Sequence, residues 1–282
     1  MRNPFLALLF IVSVFGIFSC KNSKNGLSKE IIAADSLAIE IIDNKFADEQ
    51  FSSDPAIQSK YNFTYFRLKD ELPVATIDSI LAIQATFLSG SEKKVHVLPD
   101  FKQQAQEMFN EFAKNAAEFN PFAGWEMNRA VTLGPKLGVL QSIECSEMSY
   151  MGGAHPNAFS LMYVIDLANG KTVHLEDIIS PDQMIVFNKL RFEIFLDKWN
   201  ANGEDLNWKD YFFTEAFDEK GDFYSNDNFY VGKEGITFYY NQYEIAPYSS
   251  GVTELTIPME KLKPLLNPKG PYYSNFKTEK SS

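Results

Sequence analysis

The stretch FSLMYVIDLANGKTVHLEDII, residues 159–179, gives the strongest indication of the fold. Two runs rich in β-branched and aromatic residues flank Asn169-Gly170, the pair that two-residue type I′ hairpin turns prefer. Ser180-Pro181 follows, with serine at a typical N-cap position and proline at the first helical position. The stretch therefore predicts an antiparallel hairpin that leads directly into a helix running to about Trp199.

On both sides of this stretch, strand-like and helical segments follow one another. Upstream, a Phe and Met stripe at helical spacing predicts a helix between Pro99 and Pro121, and Gly134-Pro135 marks a turn between two strands. Downstream, a second hairpin turns at Gly232 to Gly235 and precedes a last strand and a short helix. Hairpins with separately grouped helices predict an α+β fold, with antiparallel sheet packed against segregated helices in two intimately packed segments.

The N-terminus has the features of an export signal. Arg2 precedes the apolar run FLALLFIVSVFGIF, which is too short and wrongly flanked for a transmembrane helix. Ser19-Cys20 resembles a lipobox, so we expect residues 1–19 to be a signal peptide and Cys20 to carry the lipid anchor. An ordinary signal with an incidental Cys20 is the alternative. The polar residues 20–35 are predicted to be a flexible tether, and the protein to be exported and anchored at the periplasmic or outer surface.

The net charge bears on the class of partner, and the cysteine content bears on how the fold is stabilised. The formal net charge is -11, which argues against nucleic acid because phosphate binding needs clustered Lys and Arg. With Cys20 lipidated, Cys145 is the only remaining thiol, so no intramolecular disulfide is expected. The fold must therefore be held by packing, for which 25 Phe and 13 Tyr are available.

The histidines are the main candidates for chemistry, because no nucleotide-binding, serine-hydrolase or Cys-x-x-Cys motif is present. His96 is expected on a surface strand and His174 in the second strand of the hairpin. His155 follows the flexible pair Gly152-Gly153, where it either presents its imidazole to a ligand or satisfies a buried carbonyl in a tight turn. No His or Cys stands at zinc-ligand spacing from another, so no metal and no cofactor is expected.

The stretch YEIAPYSSG, residues 243–251, permits two interpretations. Tyr243 and Tyr248 are suitable anchors for a rigid binding loop. Alternatively, the loop is a corner in which Glu244 accepts backbone N–H bonds, Pro247 stiffens the turn and the tyrosines cover the core edge. The candidate ligand-binding residues are Tyr243, Glu244, Pro247, Tyr248, Gly152, Gly153 and His155.

Two blocks of the sequence resemble a known family. They are SYMGGAHPNAFSLMYVIDLANGKTVHLEDII and GITFYYNQYEIAPYSSGVTELTIPMEKL. They are similar to the extracytoplasmic domains shared by the anti-sigma factor RsiV and the peptidoglycan deacetylase PdaC, apart from Met151 and Pro156. The resemblance implies an N-terminal module at 36–149, a C-terminal domain at 150–268 and a loose tail at 269–282.

The resemblance also sets an expectation for function. RsiV uses this module as a receptor for lysozyme, whereas the deacetylase chemistry of PdaC resides in a separate domain that is not expected in this chain. We therefore expect a non-enzymatic envelope lipoprotein that recognises a lysozyme-like protein or a cell-wall glycan. The alternatives are an enzyme that modifies cell-wall glycan or peptide with His155, and a structural envelope protein.

Overall fold

The fold was analysed in a computed structural model. It describes residues 27, 31, 34–52, 54–55, 57–119, 123–201, 212–213 and 226–279. The predicted signal peptide, Cys20 and most of the predicted tether lie outside these residues. Among the described residues, no helix is both long and apolar enough to cross a membrane.

A five-stranded sheet forms the N-terminal part of the fold. Its strands lie side by side in chain order and are β1 (Ile39–Ala47), β2 (Lys60–Leu68), β3 (Glu126–Leu137), β4 (Leu140–Tyr150) and β5 (Asn157–Asp166). Between β2 and β3 the chain forms helices α1 (Val74–Ser89) and α2 (Phe101–Phe119). This crossover makes β2 and β3 parallel, whereas every other neighbouring pair is antiparallel.

A three-stranded antiparallel sheet and the remaining helices form the second part. The strands are β6 (Phe229–Val231), β7 (Gly235–Tyr240) and β8 (Thr253–Pro258). The helices are α3 (Leu175–Ile178), α4 (Met184–Ala201), α5 (Met259–Leu262) and α6 (Pro271–Glu279). The predicted α+β class is confirmed, but the larger sheet is mixed because the two crossover helices return the chain to the same end of the sheet.

The fold contains two hydrophobic cores, and residues of the five-stranded sheet contribute to both. One core lies between the five-stranded sheet and helices α1 and α2, and it includes Phe63, Ile80 and Phe109. The other surrounds the three-stranded sheet and includes Phe187, Phe238 and Leu262. Val139, in the turn between β3 and β4, packs against both cores. Burial of apolar area, at about 25 cal/mol per Å², is the main stabilising contribution in each core.

A charged pair lies beneath the C-terminal end of α1. Arg129 Nε donates to Glu147 Oε2 over 2.7 Å, and both side chains are only 15% exposed. The same guanidinium donates to the carbonyl of Leu88, at the negative end of the helix dipole. Gly90 ends the helix with φ 66°, and a Cβ there would lie 2.9 Å from the Arg129 guanidinium. The guanidinium thus joins β3, β4 and α1.

The structure corrects two predicted turns. Gly134-Pro135 does not turn the chain but lies within β3, where a register irregularity between Leu133 and Lys136 accommodates the proline. The turn to β4 is instead at Gly138, whose φ is 56°. The chain turns at Asn169-Gly170, but not in the expected two-residue type I′ turn, because only Gly170 has positive φ and Asp166 N–H donates to Lys171 O across residues 167–170. The expected second strand is reduced to one bridge between Ile165 and Thr172, because the chain then enters α3.

Two histidine positions and the tail also differ from expectation. His174 precedes α3 as its N-cap rather than lying in a strand, and its backbone N–H donates to Asp177. His96 is exposed in the loop between α1 and α2, not in a strand. The predicted loose tail contains α6, because Tyr272 is buried and Asn275 Oδ1 accepts a hydrogen bond from the backbone of Val139.

Other predicted features are confirmed. Ser180-Pro181 begins a 3₁₀ turn that continues into α4, and the β6–β7 hairpin turns between Gly232 and Gly235. The predicted boundary at residues 149/150 lies within the last two residues of β4, and β4 pairs with β5 from Leu140/Asp166 to Ser149/Asn157. The division into two domains stays a prediction.

Candidate functional site

The two loops selected from the sequence lie against each other. One precedes β5 and carries His155, and the other connects β7 to β8 and carries Tyr243 and Tyr248. The imidazole of His155 stacks on the ring of Tyr248, with centroids 3.7 Å apart and planes 15° apart. Tyr243 Oη lies 3.3 Å from His155 Nε2, and the two tyrosine rings are 5.6 Å apart. We call His155, Tyr243 and Tyr248 the aromatic cluster.

The first loop positions His155 through backbone conformation. Gly152 and Gly153 have φ 91° and 104°, values that residues with a Cβ rarely adopt. A Cβ at either position would meet no atom within 4 Å, so the requirement is conformational rather than steric. Tyr150 Oη donates to the Gly153 carbonyl over 3.1 Å, which fixes the bend.

The second loop contains an unusual backbone conformation at Tyr243. Its φ is 65°, and it is the one non-glycine residue with positive φ in the described chain. Glu244 N–H donates to the Asn241 carbonyl over 3.1 Å, so Tyr243 occupies the third position of a turn with the pattern of type II, where glycine is preferred. A tyrosine in this conformation costs roughly 1–3 kcal/mol, and such strain is concentrated at functional sites.

The polar residues of the second loop hold it in place. Glu244 Oε2 accepts the Asn241 backbone N–H over 2.8 Å, and Oε1 accepts Asn226 Nδ2 over 2.7 Å. Glu244 therefore has the corner role expected of it. Pro247 precedes the 3₁₀ turn Tyr248–Ser250, which ends at Gly251 with φ 69°. Rigid polar contacts thus support tyrosine rings that remain accessible, and Tyr243 is 52% exposed.

Two asparagines attach this loop and the β6–β7 hairpin to β5. Asn241 Oδ1 accepts Ser160 N–H over 2.7 Å, and its Nδ2 donates to Ser160 O over 3.1 Å. Asn228 makes the equivalent pair of bonds, with Met162 N–H at 2.7 Å and Ser160 O at 2.9 Å. The amide side chains thus satisfy backbone groups at the outer edge of β5. Sequence reasoning missed both residues, because nothing in their spacing distinguishes them from other surface asparagines.

Both ring nitrogens of His155 lie close to an oxygen atom. Nε2 faces Tyr243 Oη, and Nδ1 lies 3.1 Å from the Pro156 carbonyl. A catalytic base is usually oriented by a third group toward a nucleophile, and no described carboxylate hydrogen-bonds to this imidazole. The described parts of the chain contain no group of three His, Cys, Asp or Glu that could hold a metal ion. Neither His96 nor His174 contacts the aromatic cluster.

The C-terminal region is similar to a family of known proteins. Residues 176–260 match a family described as a protein of unknown function, DUF3298. A DUF3298 family member from Bacteroides fragilis has a TM-score of 0.63 at 21% identity, covering 87% of this chain and 100% of that chain. A DUF3298 family protein from Pseudomonas aeruginosa PAO1 has a TM-score of 0.62 at 19% identity, covering 83% and 96%. No curated protein matches the sequence. The match confirms the domain resemblance, and the two structures show the shared fold.

Proposed function

We propose, from the match of residues 176–260 to the DUF3298 family, that this protein is a non-enzymatic binding module of the bacterial envelope. The aromatic cluster is its contact surface. The single observation that carries the proposal is the strained backbone of Tyr243, which holds an exposed ring where glycine would be the less costly residue.

The chemistry of the cluster suits recognition. Tyrosine combines a large apolar body with a polar tip, and it loses little conformational entropy on binding because it has two side-chain torsions. The contacts of Glu244 and Asn241 fix the loop before a ligand arrives, which lowers the cost of ordering it. An exposed Met151 lies in the adjoining loop and extends the apolar part of the surface.

The proposed partner is a basic lysozyme-like protein, with a cell-wall glycan as the second candidate. The formal charge of -11 favours association with a basic protein by electrostatic steering. The resemblance to the receptor domain of RsiV supports the same class of partner. A lipid on Cys20 would hold the module at the envelope, where both candidates occur.

Calorimetric titration of the mature chain with a c-type lysozyme, at low and high salt, tests the proposal. Peptidoglycan fragments are titrated in parallel. We expect saturable binding of one of these ligands, which Tyr243→Gly and Tyr248→Ala each weaken at least tenfold, a typical loss for a central aromatic anchor. For lysozyme, binding should also weaken as salt rises. The matched control is Val97→Ala, which truncates a side chain that is 79% exposed on the α1–α2 loop.

The outcomes separate the candidate functions. Binding that survives both tyrosine substitutions would place the contact surface elsewhere. Absence of binding to both ligands would favour a structural role in the envelope. Turnover of peptidoglycan fragments that His155→Ala abolishes would show that the protein is an enzyme.

A further inference from the structure

The edge strand β1 offers an interaction surface independent of the aromatic cluster. It is the first strand of the five-stranded sheet, nine residues long, and pairs with β2 on one side only. Lys69 N–H donates to Ala38 O and Asp48 N–H donates to Ser59 O. Even-numbered residues of β1 therefore direct their backbone groups toward β2, and odd-numbered residues direct theirs to the open edge.

The outward backbone groups of β1 have no partner among the residues that the structure describes. This applies to Ile39, Ile41, Asp43 and Lys45. The strand contains no proline and no register irregularity, two features that commonly protect an edge, and its charged residues Glu40, Asp43 and Lys45 restrict pairing to a strand of matching charge. The opposite edge of the same sheet, on β5, is covered by Asn228 and Asn241. An edge of this length with unpaired backbone groups is a template for another extended strand of complementary charge.

The central residues of β1 are complementary to themselves in one antiparallel register, in which the paired segment is 41–47 and the like-charged Glu40 and Asp48 face each other only beyond its ends. With Asn44 opposite Asn44 of a second copy, Asp43 faces Lys45 on both sides of the two-fold axis. In the same register, Ile42 faces Phe46 on the side of the sheet that carries the helices. Shifting the centre to Asp43 or to Lys45 would place like charges directly opposite, which is destabilising. We propose that two copies of this chain pair through β1 in the Asn44-centred register, joining their five-stranded sheets into one continuous sheet.

Asn44 provides a second observation in favour of this register. Its Nδ2 is buried, and no described group accepts a hydrogen bond from it. A buried amide donor without an acceptor is destabilising. At the two-fold axis, the amide of one copy can turn toward the amide of the other, and each then donates to the oxygen of its counterpart. Pairing thus supplies an acceptor that the single chain lacks.

The expected strength follows from the size of the contact. One pair of edge strands buries less area than the roughly 1,200 Å² of a standard stable interface. We therefore expect weak association in dilute solution and stronger association at high protein concentration.

Single-cysteine crosslinking of the full chain tests both the pairing and its register. Asn44→Cys places two thiols at a non-hydrogen-bonded pair, where the Cα atoms are about 4.5 Å apart, within reach of a disulfide. Under mild oxidation we expect a disulfide-linked dimer for Asn44→Cys and none for Asp43→Cys. Mixing Asp43→Cys with Lys45→Cys should restore crosslinking between the two. The unsubstituted chain, which contains Cys20 and Cys145, gives the background.

A charge exchange gives a test that does not depend on disulfide geometry. Asp43→Lys and Lys45→Asp should each raise the dimer dissociation constant about two- to thirtyfold, because each creates two like-charged cross-strand pairs. The double variant Asp43→Lys/Lys45→Asp should recover the original constant. Sedimentation equilibrium at several protein concentrations measures the dimer dissociation constant of the original chain, the two single variants and the double variant. A monomer at every concentration, or crosslinking of Asp43→Cys equal to that of Asn44→Cys, would overturn the proposal.

Discussion

Arg129 and Glu147 form a 2.7 Å ion pair between β3 and β4, in a site that is largely closed to solvent by the end of α1. Removing one member of a buried pair leaves the other charge without compensation. We expect Arg129→Met to lower the free energy of unfolding by about 3 kcal/mol and the double variant Arg129→Met/Glu147→Met to lower it by much less. Urea denaturation followed by circular dichroism measures both.

The exposed pair between Arg67 and Glu40 is the matched control for that experiment. These side chains are 67% and 47% exposed, so Arg67→Met should cost under about 1 kcal/mol. If Arg129→Met and Arg67→Met lowered the free energy of unfolding equally, burial would not make the Arg129–Glu147 pair more important than the exposed one.

The strain at Tyr243 predicts a reversal of the usual order of alanine and glycine. Both substitutions remove the ring, but only glycine adopts φ 65° without cost. Tyr243→Gly should therefore be about 1 kcal/mol more stable than Tyr243→Ala in urea denaturation. At the exposed Ser249, in the adjacent 3₁₀ turn, alanine should be at least as stable as glycine. If Tyr243→Ala were at least as stable as Tyr243→Gly, as expected for alanine and glycine at position 249, Tyr243 would not be strained.

Tyr61 predicts a loss of stability in alkali. Burial raises the pKa of this phenol to about 12, against the lowering effect of Arg129. The folded state keeps the proton up to about pH 12, whereas the unfolded chain releases it near pH 10. The contribution of the neutral phenol to the free energy of unfolding is therefore fully present below pH 10 and is lost as the pH rises toward 12.

Phenylalanine at position 61 isolates this effect because it does not titrate. The free-energy difference between the original chain and Tyr61→Phe should be constant up to about pH 9 and shift in favour of Tyr61→Phe above pH 10. The free energy of unfolding of both chains, measured at intervals from below pH 9 to above pH 10, gives this difference. Parallel curves for the two chains throughout would show that Tyr61 titrates normally.

Cys145 is expected to be unreactive in the folded protein. Its side chain is fully buried, and burial, together with the charge of Glu144, raises the pKa of the thiol. Because the thiolate is the reactive form, an Ellman reagent at pH 8 should label this residue only as fast as the protein unfolds. A chain with Cys20→Ser removes the other thiol, and addition of urea supplies the fully reactive reference. Rapid labelling without urea would show that β4 opens locally.

Local sequence patterns predicted the helices better than the turns. The Phe and Met stripe of α2 and the Ser180-Pro181 start before α4 act within a few residues, so their consequences are visible in the sequence. Gly134-Pro135 failed as a turn signal because the longer β3–β4 pairing continues past it. The second strand after Asn169-Gly170 failed because α3 competes for the same residues.

The aromatic cluster shows what a local pattern cannot supply. The sequence singled out His155 and Tyr243, but 88 positions separate them, and no periodicity predicts that they are in contact. Their contact depends on Asn241, which hydrogen-bonds to β5 across 81 positions. The crossover that makes β2 and β3 parallel is likewise decided by the packing of α1 and α2, not by β2 or β3 alone.

The asparagine cover on β5 also bears on the order in which the chain folds as it is synthesised. The residues that close this edge lie 66 and 81 positions downstream of their β5 partners, so they emerge from the ribosome later than β5 itself. Until they arrive, a nascent chain exposes unpaired backbone at both margins of its first sheet. The interval between the emergence of β5 and that of Asn241 is therefore the period in which holding factors would protect the chain from aggregation.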